Sequence, residues 1–241
     1  MNLIQKYNYK PVKRITQVSG VRHYICPVTG TFLPSITTIL AATDDRTELL
    51  EWRKRVGDAE ADRIKREATG LGSLMHKHLE NYIGGIPRPG GNNMVRIQAE
   101  RMADQIIEKG LSRVSEVYGS EVVLYCPELF AGSADLVCLF EDQPTICDFK
   151  SARSLRSRAM IEGYFDQIAA YCTGHDDLFG TDIRQAVIFM VDRDLNYQEF
   201  IVRDADLDHH KTRFLDRFER YLSETCQPTP PTSITPVASL T

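Results

Sequence analysis

The sequence predicts an α/β protein: a mixed central β-sheet flanked by helices, with an N-terminal helical lobe over one edge. Three observations lead there. Helix-periodic segments cluster between residues 35 and 110. From residue 111 onward, three β-rich runs, a helix, two more strands and a last helix follow in an order that suits a layered core. The chain has 241 residues, 42% of them hydrophobic, enough for one full core and a small second lobe.

Element by element, "VRHYICPVTGTFLPS" reads as two short strands around a Pro–Val–Thr–Gly turn. Ser35 or a nearby threonine caps a short helix, "ITTILAAT". Residues from Thr47 to about Ala68 form a helix dense in mixed charge, with its apolar residues on one stripe. A second helix runs from about Gly72 to Ile83 and ends at paired glycines, and a third from about Met94 to Glu108. "SEVVLYCPEL", "AGSADLVCLFED" and "PTICDFKS" are strands separated by turn residues. The helix "RAMIEGYFDQIAAYCTG", the strands "QAVIFMVDRD" and "YQEFIVRD", and an amphipathic helix from about Ala205 to Ser223 complete the core. The expected boundaries are 1–34 for the N-terminal strands, 35–225 for the main domain and 226–241 for a Pro/Thr-rich tail predicted to be disordered. The main domain divides into a helical lobe, 35–110, and an α/β core, 111–225.

Composition narrows the function. A net charge of −4 gives no global signature of nucleic-acid binding, so local patches must carry any such argument. No apolar run approaches a membrane span, and "MNLIQKYNYKPVKR" lacks a signal-peptide core, so a cytoplasmic protein is expected, with no membrane partner. Six scattered cysteines without a CxxC read as reduced, buried thiols, and no iron–sulfur cluster is expected.

The chemistry is concentrated around "TICDFKSARS". Strand side chains alternate, so Asp148 and Lys150 share a face and Phe149 takes the other. Asp135 lies on the preceding strand, close enough in sequence for a tight hairpin to bring it near Asp148. Two carboxylates and a backbone carbonyl make a partial shell for Mg²⁺, and a neighbouring lysine can orient the attacking water and offset phosphate charge. The competing reading is an exposed ion pair worth little. Gly72, His76 and Glu80 share a helix face, where His76 could meet a metal, a metal-bound water or a phosphate, with Glu80 orienting it. A histidine satisfied at a helix–sheet contact is the structural alternative. Gln167 and Tyr171, also four apart, can form a hydrogen-bonding pair at a site or merely mark a core edge. Ser151, Arg153, Arg156 and Arg158 follow Lys150 with no acid among them, a phosphate-attracting run. Trp52, the only tryptophan, sits beside Arg53, Lys54 and Arg55, a combination that can stack and track single strands or simply pack in a core.

In order, GxxxHxxxE on a helix, Glu121, GxxD, DxK and QxxxY resemble the PD-(D/E)XK nuclease superfamily in its RecB-like layout. "FLPSITTIL", "LLEWRKR", "GSLMHKHLE", "GSADLV", "ICDFKSA" and "DQIAAY" are most similar to the mitochondrial genome maintenance exonuclease family and its phage and bacterial relatives, over about residues 32 to 220. The resemblance implies a restriction-endonuclease-like fold with the helical lobe over the active site. It also implies a Mg²⁺- or Mn²⁺-dependent exonuclease acting on DNA, single strands favoured, alongside replication, recombination or repair proteins. By resemblance, Asp135, Asp148 and the Phe149 carbonyl are metal ligands, Lys150 is catalytic and His76 lies next to the metal. Gln167 and Tyr171 support the site and touch DNA, Ser35 lies near the DNA backbone, and Glu121 has a less defined role. "DFKS" departs from the commoner "DWKT" or "DYKT". Without a convincing transit peptide, a bacterial or phage protein fits better than a mitochondrial one. A duplex exonuclease or endonuclease on the same core, and a silent DNA-binding module, are the alternatives. The intact Asp135/Asp148/Lys150 set speaks against the silent module.

Overall fold

The computed structural model describes residues 1–16 and 21–225. The predicted disorder of 226–241 lies outside the described residues. A small antiparallel sheet opens the chain: β1 (Arg14–Thr16), β2 (Arg22–Ile25) and β3 (Phe32–Pro34). Four helices follow, α1 (Ile36–Ala42), α2 (Thr47–Val56), α3 (Asp58–Ile83) and α4 (Met94–Lys109). The core then runs β4 (Val114–Cys126), β5 (Phe130–Phe140), β6 (Gln143–Ser151), α5 (Glu162–Phe179), β7 (Gln185–Val191), β8 (Tyr197–Arg203) and α6 (Asp204–Thr225).

The helix boundaries between residues 47 and 83 differ from expectation. The break falls at Gly57, not between Ala68 and Gly72, and α3 runs unbroken for 26 residues. Gly57 has φ 85°, which glycine adopts without penalty, so the chain turns there. Gly72 serves a different purpose: a Cβ at this position would lie 3.0 Å from Ser151 Oγ. It lets α3 pass close to the end of β6.

The large sheet has the order β4-β5-β6-β7-β8. Only β6 and β7 are parallel, and α5 provides the crossover between them. This mixed sheet with helices on both faces is the layered α/β architecture that the sequence predicts. Helices α1, α5 and α6 cover one face and α3 and α4 the other. Strand β7 shows why the sheet is stable. Ala186, Ile188 and Met190 pack into the first layer, while Val187, Phe189 and Val191 pack into the second. Burial of each large apolar side chain contributes about 1.5–3 kcal/mol. Among the described residues, no helix is long and apolar enough to cross a membrane.

Two details of the sheet aim the site. The β5–β6 hairpin closes through Glu141 and Asp142, both at positive φ (50° and 61°), the backbone of a two-residue turn that matches strand twist. That turn fixes the register, and the β5–β6 ladder ends at Leu136↔Cys147. Asp135 and Asp148 are therefore the first residues past the last paired position, where the strands begin to part.

Candidate active site

Where β5 and β6 part, Asp135 replaces the missing ladder bond: its Oδ2 accepts from the Phe149 N–H at 2.7 Å. Phe149 turns its ring into the α3/α4 layer. Asp148 and Lys150 occupy the opposite face, with Lys150 Nζ 2.5 Å from Asp148 Oδ2. The Lys150 ammonium is thus the partner of this buried carboxylate oxygen. Lys150 Nζ also donates to Gln167 Oε1 at 3.2 Å, and Gln167 Nε2 donates to the Tyr171 hydroxyl at 2.7 Å. Asp148, Lys150, Gln167 and Tyr171 thus form one continuous polar chain from β6 to α5. Gly132 makes room for its far end, since a Cβ there would stand 2.6 Å from Tyr171 Cε1. The Lys150 ammonium also lies 4.8 Å from the centre of the Tyr164 ring.

Helix α3 brings His76 to the same point from the other side. Its Nε2 lies 2.9 Å from the Phe149 carbonyl oxygen and its Nδ1 3.4 Å from Asp135 Oδ1. The Phe149 carbonyl, expected to serve a metal, is here engaged by His76. Glu80, expected to orient His76, is paired with Lys77 at 2.9 Å. Glu121 sits across from Asp135, between the ladder pairs Ser120↔Leu136 and Val122↔Ala134. It has φ 52°, an uncommon conformation for a residue with a side chain, and accepts a 3.3 Å hydrogen bond from Ser133 Oγ. Ligand atoms of His76, Glu121 and Asp135 all lie within 4.8 Å of one another.

The electrostatics follow from this crowding. Burial pushes the Asp148 carboxyl up to about 6, with Asp135 adding to the effect and Lys150 opposing it. Burial would raise Asp135 as well, but His76 and Lys150 hold it below the usual carboxylate range. Burial disfavours the His76 cation, yet Asp135 and Asp148 outweigh it and push His76 up to about 9. Burial and then Asp135 push Glu121 up to about 7. Lys150 stays an ammonium: burial opposes the charge, and Asp148 and Asp135 override that opposition. The grouped donors, the Glu121 and Asp135 carboxylates with the His76 imidazole beside them, fit a divalent cation that prefers oxygen ligands.

The surrounding cavity holds about 460 Å³. Ser35 lines it, but its hydroxyl is committed to capping α1, accepting from Thr38 N at 3.0 Å, and the residue is buried. A second cleft of about 350 Å³ lies beyond the Gly72–Ser151 contact and is lined by Trp52, Ser151, Arg153, Arg156 and Arg193. The structure thus brings together the two basic segments read separately from the sequence, and adds Arg193. It also removes some members. Arg53 is paired with Asp58 and Asp62, both at 2.9 Å, and Arg158 with Asp206. Lys54 and Arg55 are exposed on α2 and do not line this cleft. Sequence reasoning missed Arg14, Arg22 and Tyr24, which reach the larger cavity from the N-terminal sheet. The alternation in "RIT" and "RHY", which places these three on one strand face, was the available signal.

No family model matches this chain, and no curated protein matches it. Solved structures similar to it include a proposed exonuclease from Eubacterium rectale, with 13% identity over 70% of this chain and 77% of the other, at a TM-score of 0.45. A phage-related exonuclease from Haemophilus somnus aligns over 64% and 81% of the two chains with 15% identity and a TM-score of 0.36. An alkaline exonuclease from Laribacter hongkongensis aligns over the same shares with 16% identity and a TM-score of 0.28. Similarity at this level does not assign a reaction, so the site geometry has to carry the functional argument.

Proposed function

We propose that the chain is a PD-(D/E)XK-type, Mg²⁺- or Mn²⁺-dependent deoxyribonuclease that degrades DNA from its ends. Single-stranded DNA is its preferred substrate, and replication, recombination or repair in a bacterial or phage-infected cell is its setting. One observation carries the reading: Asp135 and Asp148 flank the point where β5 and β6 part, with Lys150 held against the buried Asp148 carboxylate. An exposed surface pair would not sit in a cavity with Asp148 only 2% exposed.

Asp135, Asp148 and Glu121, with His76 beside them, would hold the metal. When bound, the metal supplies Lewis-acid stabilisation of charge on the phosphoryl oxygens. The remaining work belongs to side chains. Lys150, aimed by Asp148 and by Gln167, orients a water towards phosphorus and, as an ammonium, offsets charge on the phosphoryl oxygens. Tyr171 holds Gln167 so that this aim persists. Trp52, Arg153 and Arg156 offer a stacking surface and charge to the strand that leaves the site.

The test is degradation of end-labelled single-stranded DNA with Mg²⁺ or Mn²⁺. Wild type should shorten the strand progressively, and EDTA should stop it. Lys150→Ala and Asp148→Ala should each lower the rate by about 10³-fold. Variants as active as wild type would show that the chemistry lies elsewhere. Rapid cutting of circular single strands would reject the requirement for an end.

A further inference from the structure

The cations of the catalytic cavity fall into two groups. Lys150 is spent on Asp148, His76 on Asp135 and Lys77 on Glu80. Arg14 and Arg22 also line the cavity, and neither has a carboxylate within ion-pair distance among the described residues. A cation already matched to an acid must give up that partner to hold a phosphate, whereas a guanidinium without a carboxylate has no ion pair to lose.

Their placement is built into the fold. Register pairs Arg14 with Tyr24 and Thr16 with Arg22, so Arg14, Arg22 and Tyr24 project from one face of the small sheet. That face is anchored to the catalytic domain at two points. The Arg22 carbonyl accepts from Ser35 N at 3.1 Å and Thr38 Oγ1 at 3.3 Å, and Ser35 bridges to Ala131 of β5. Beneath the arginines, Tyr24 is 2% exposed and packs with Leu33, Tyr125 and Ala131. Burial pushes its phenol up while Arg22 and Arg14 pull it down, and Glu121 acts on it from the metal side. The arginine pair and the acidic cluster line the same cavity, with Tyr24 among its wall residues.

We propose that Arg14, Arg22 and the Tyr24 hydroxyl form a phosphate-binding subsite that grips a second phosphate of the nucleic-acid strand while the first lies at Asp135 and Asp148. This proposal rests on the nuclease reading above. The ligand chemistry is a phosphate oxyanion, taken by two forked guanidiniums. It comes either from a terminal phosphomonoester or from the neighbouring phosphodiester. In both cases the subsite fixes how far the strand end extends beyond the scissile bond. It acts on binding and product length, not on the chemical step.

The experiment measures anisotropy of labelled oligothymidylates bound to the full-length protein in EDTA. Three oligonucleotides are compared: 5′-phosphorylated, 3′-phosphorylated and unphosphorylated. The proteins are wild type, Arg14→Ala/Arg22→Ala and Arg14→Lys/Arg22→Lys, each checked for wild-type thermal stability. The alanine pair should weaken binding at least about 10-fold and flatten the dependence of log K on log salt by about 0.7 for each phosphate that is no longer neutralised. The lysine pair should recover part of both. A loss confined to one phosphorylated end identifies the terminal monoester, and an equal loss for all three identifies the internal phosphodiester. Unchanged affinity and salt slope for all three in the alanine pair would overturn the subsite. Failure of the nuclease reading has a different signature: wild type would leave all three intact when Mg²⁺ or Mn²⁺ is restored.

Discussion

Helix α5 has a buried aspartate cluster on either side, and the two clusters use nearly the same residue types to different ends. On one side, Asp148, Lys150, Gln167 and Tyr171 open onto the large cavity, with Lys150 as the cation on Asp148. On the other side, Asp166 of α5 is fully buried and both its oxygens are satisfied. His210 Nδ1 lies 2.9 Å from Oδ1, while Arg217 and Arg213 approach Oδ2 at 3.1 and 3.4 Å. Arg217 continues to the Leu40 carbonyl at 2.7 Å and Thr43 Oγ1 at 3.0 Å, tying α1 to α5 and α6. Both clusters pair buried acids with cations. The acid of the first lines a cavity and that of the second is sealed from solvent, so the first can bind and the second can only brace.

Substitutions should separate the two. Asp166→Ala strands His210 and two arginines, and should cost about 3–5 kcal/mol, or roughly 6–20 °C in Tm. Nuclease activity per folded molecule should be retained. Asp148→Ala should remove activity and cost less stability than Asp166→Ala, because it strands only Lys150, which keeps Gln167 as a partner, and burial already works against the Asp148 charge. Calorimetry and a nuclease assay on both variants suffice, and a large loss of stability in Asp148→Ala would erase the distinction. Gly132→Ala should have an intermediate effect on both properties. The new Cβ would meet Tyr171 at 2.6 Å and Ile36 at 2.8 Å, costing about 1–3 kcal/mol and disturbing the Gln167–Tyr171 pair.

The smallest expected effect comes from a third polar site on α5. His175 is buried between Tyr9, at 3.0 Å, and Thr181, at 2.8 Å. Burial pushes its pKa down to about 4. A folded-state value below the unfolded value of about 6.5 means that the neutral ring stabilises the fold above pH 6.5. That contribution drains away as pH falls through about 4. The Tm of wild type should therefore decline over this window more steeply than that of His175→Gln. Parallel declines would show that the ring is not the titrating group.

Much of the candidate site was legible because strand periodicity is local. Residues two apart on a strand must share a face, which joins Asp148 to Lys150, and residues four apart on a helix must do so too, which joins Gln167 to Tyr171. Less could be read where partners decide. Arg53 and Arg153 look alike in sequence, yet Arg53 is neutralised by Asp58 and Asp62 while Arg153 faces a cleft. Gly57 and Gly72 are both residues able to end a helix, and only backbone geometry and the approach of Ser151 distinguish them. Asp166 stands beside Gln167 in the same motif without any local sign of its role, since nothing nearby in the chain announces a partner 44 residues away.

By itself, then, the sequence determined the order of layers and the face each catalytic candidate occupies, because backbone periodicity settles both within a few residues. The tertiary structure alone decided which charges are already matched. Pairing depends on distances between segments far apart in the chain, and it separates Arg14 and Arg22, which have no carboxylate partner among the described residues, from Arg213 and Arg217, which brace the fold through Asp166.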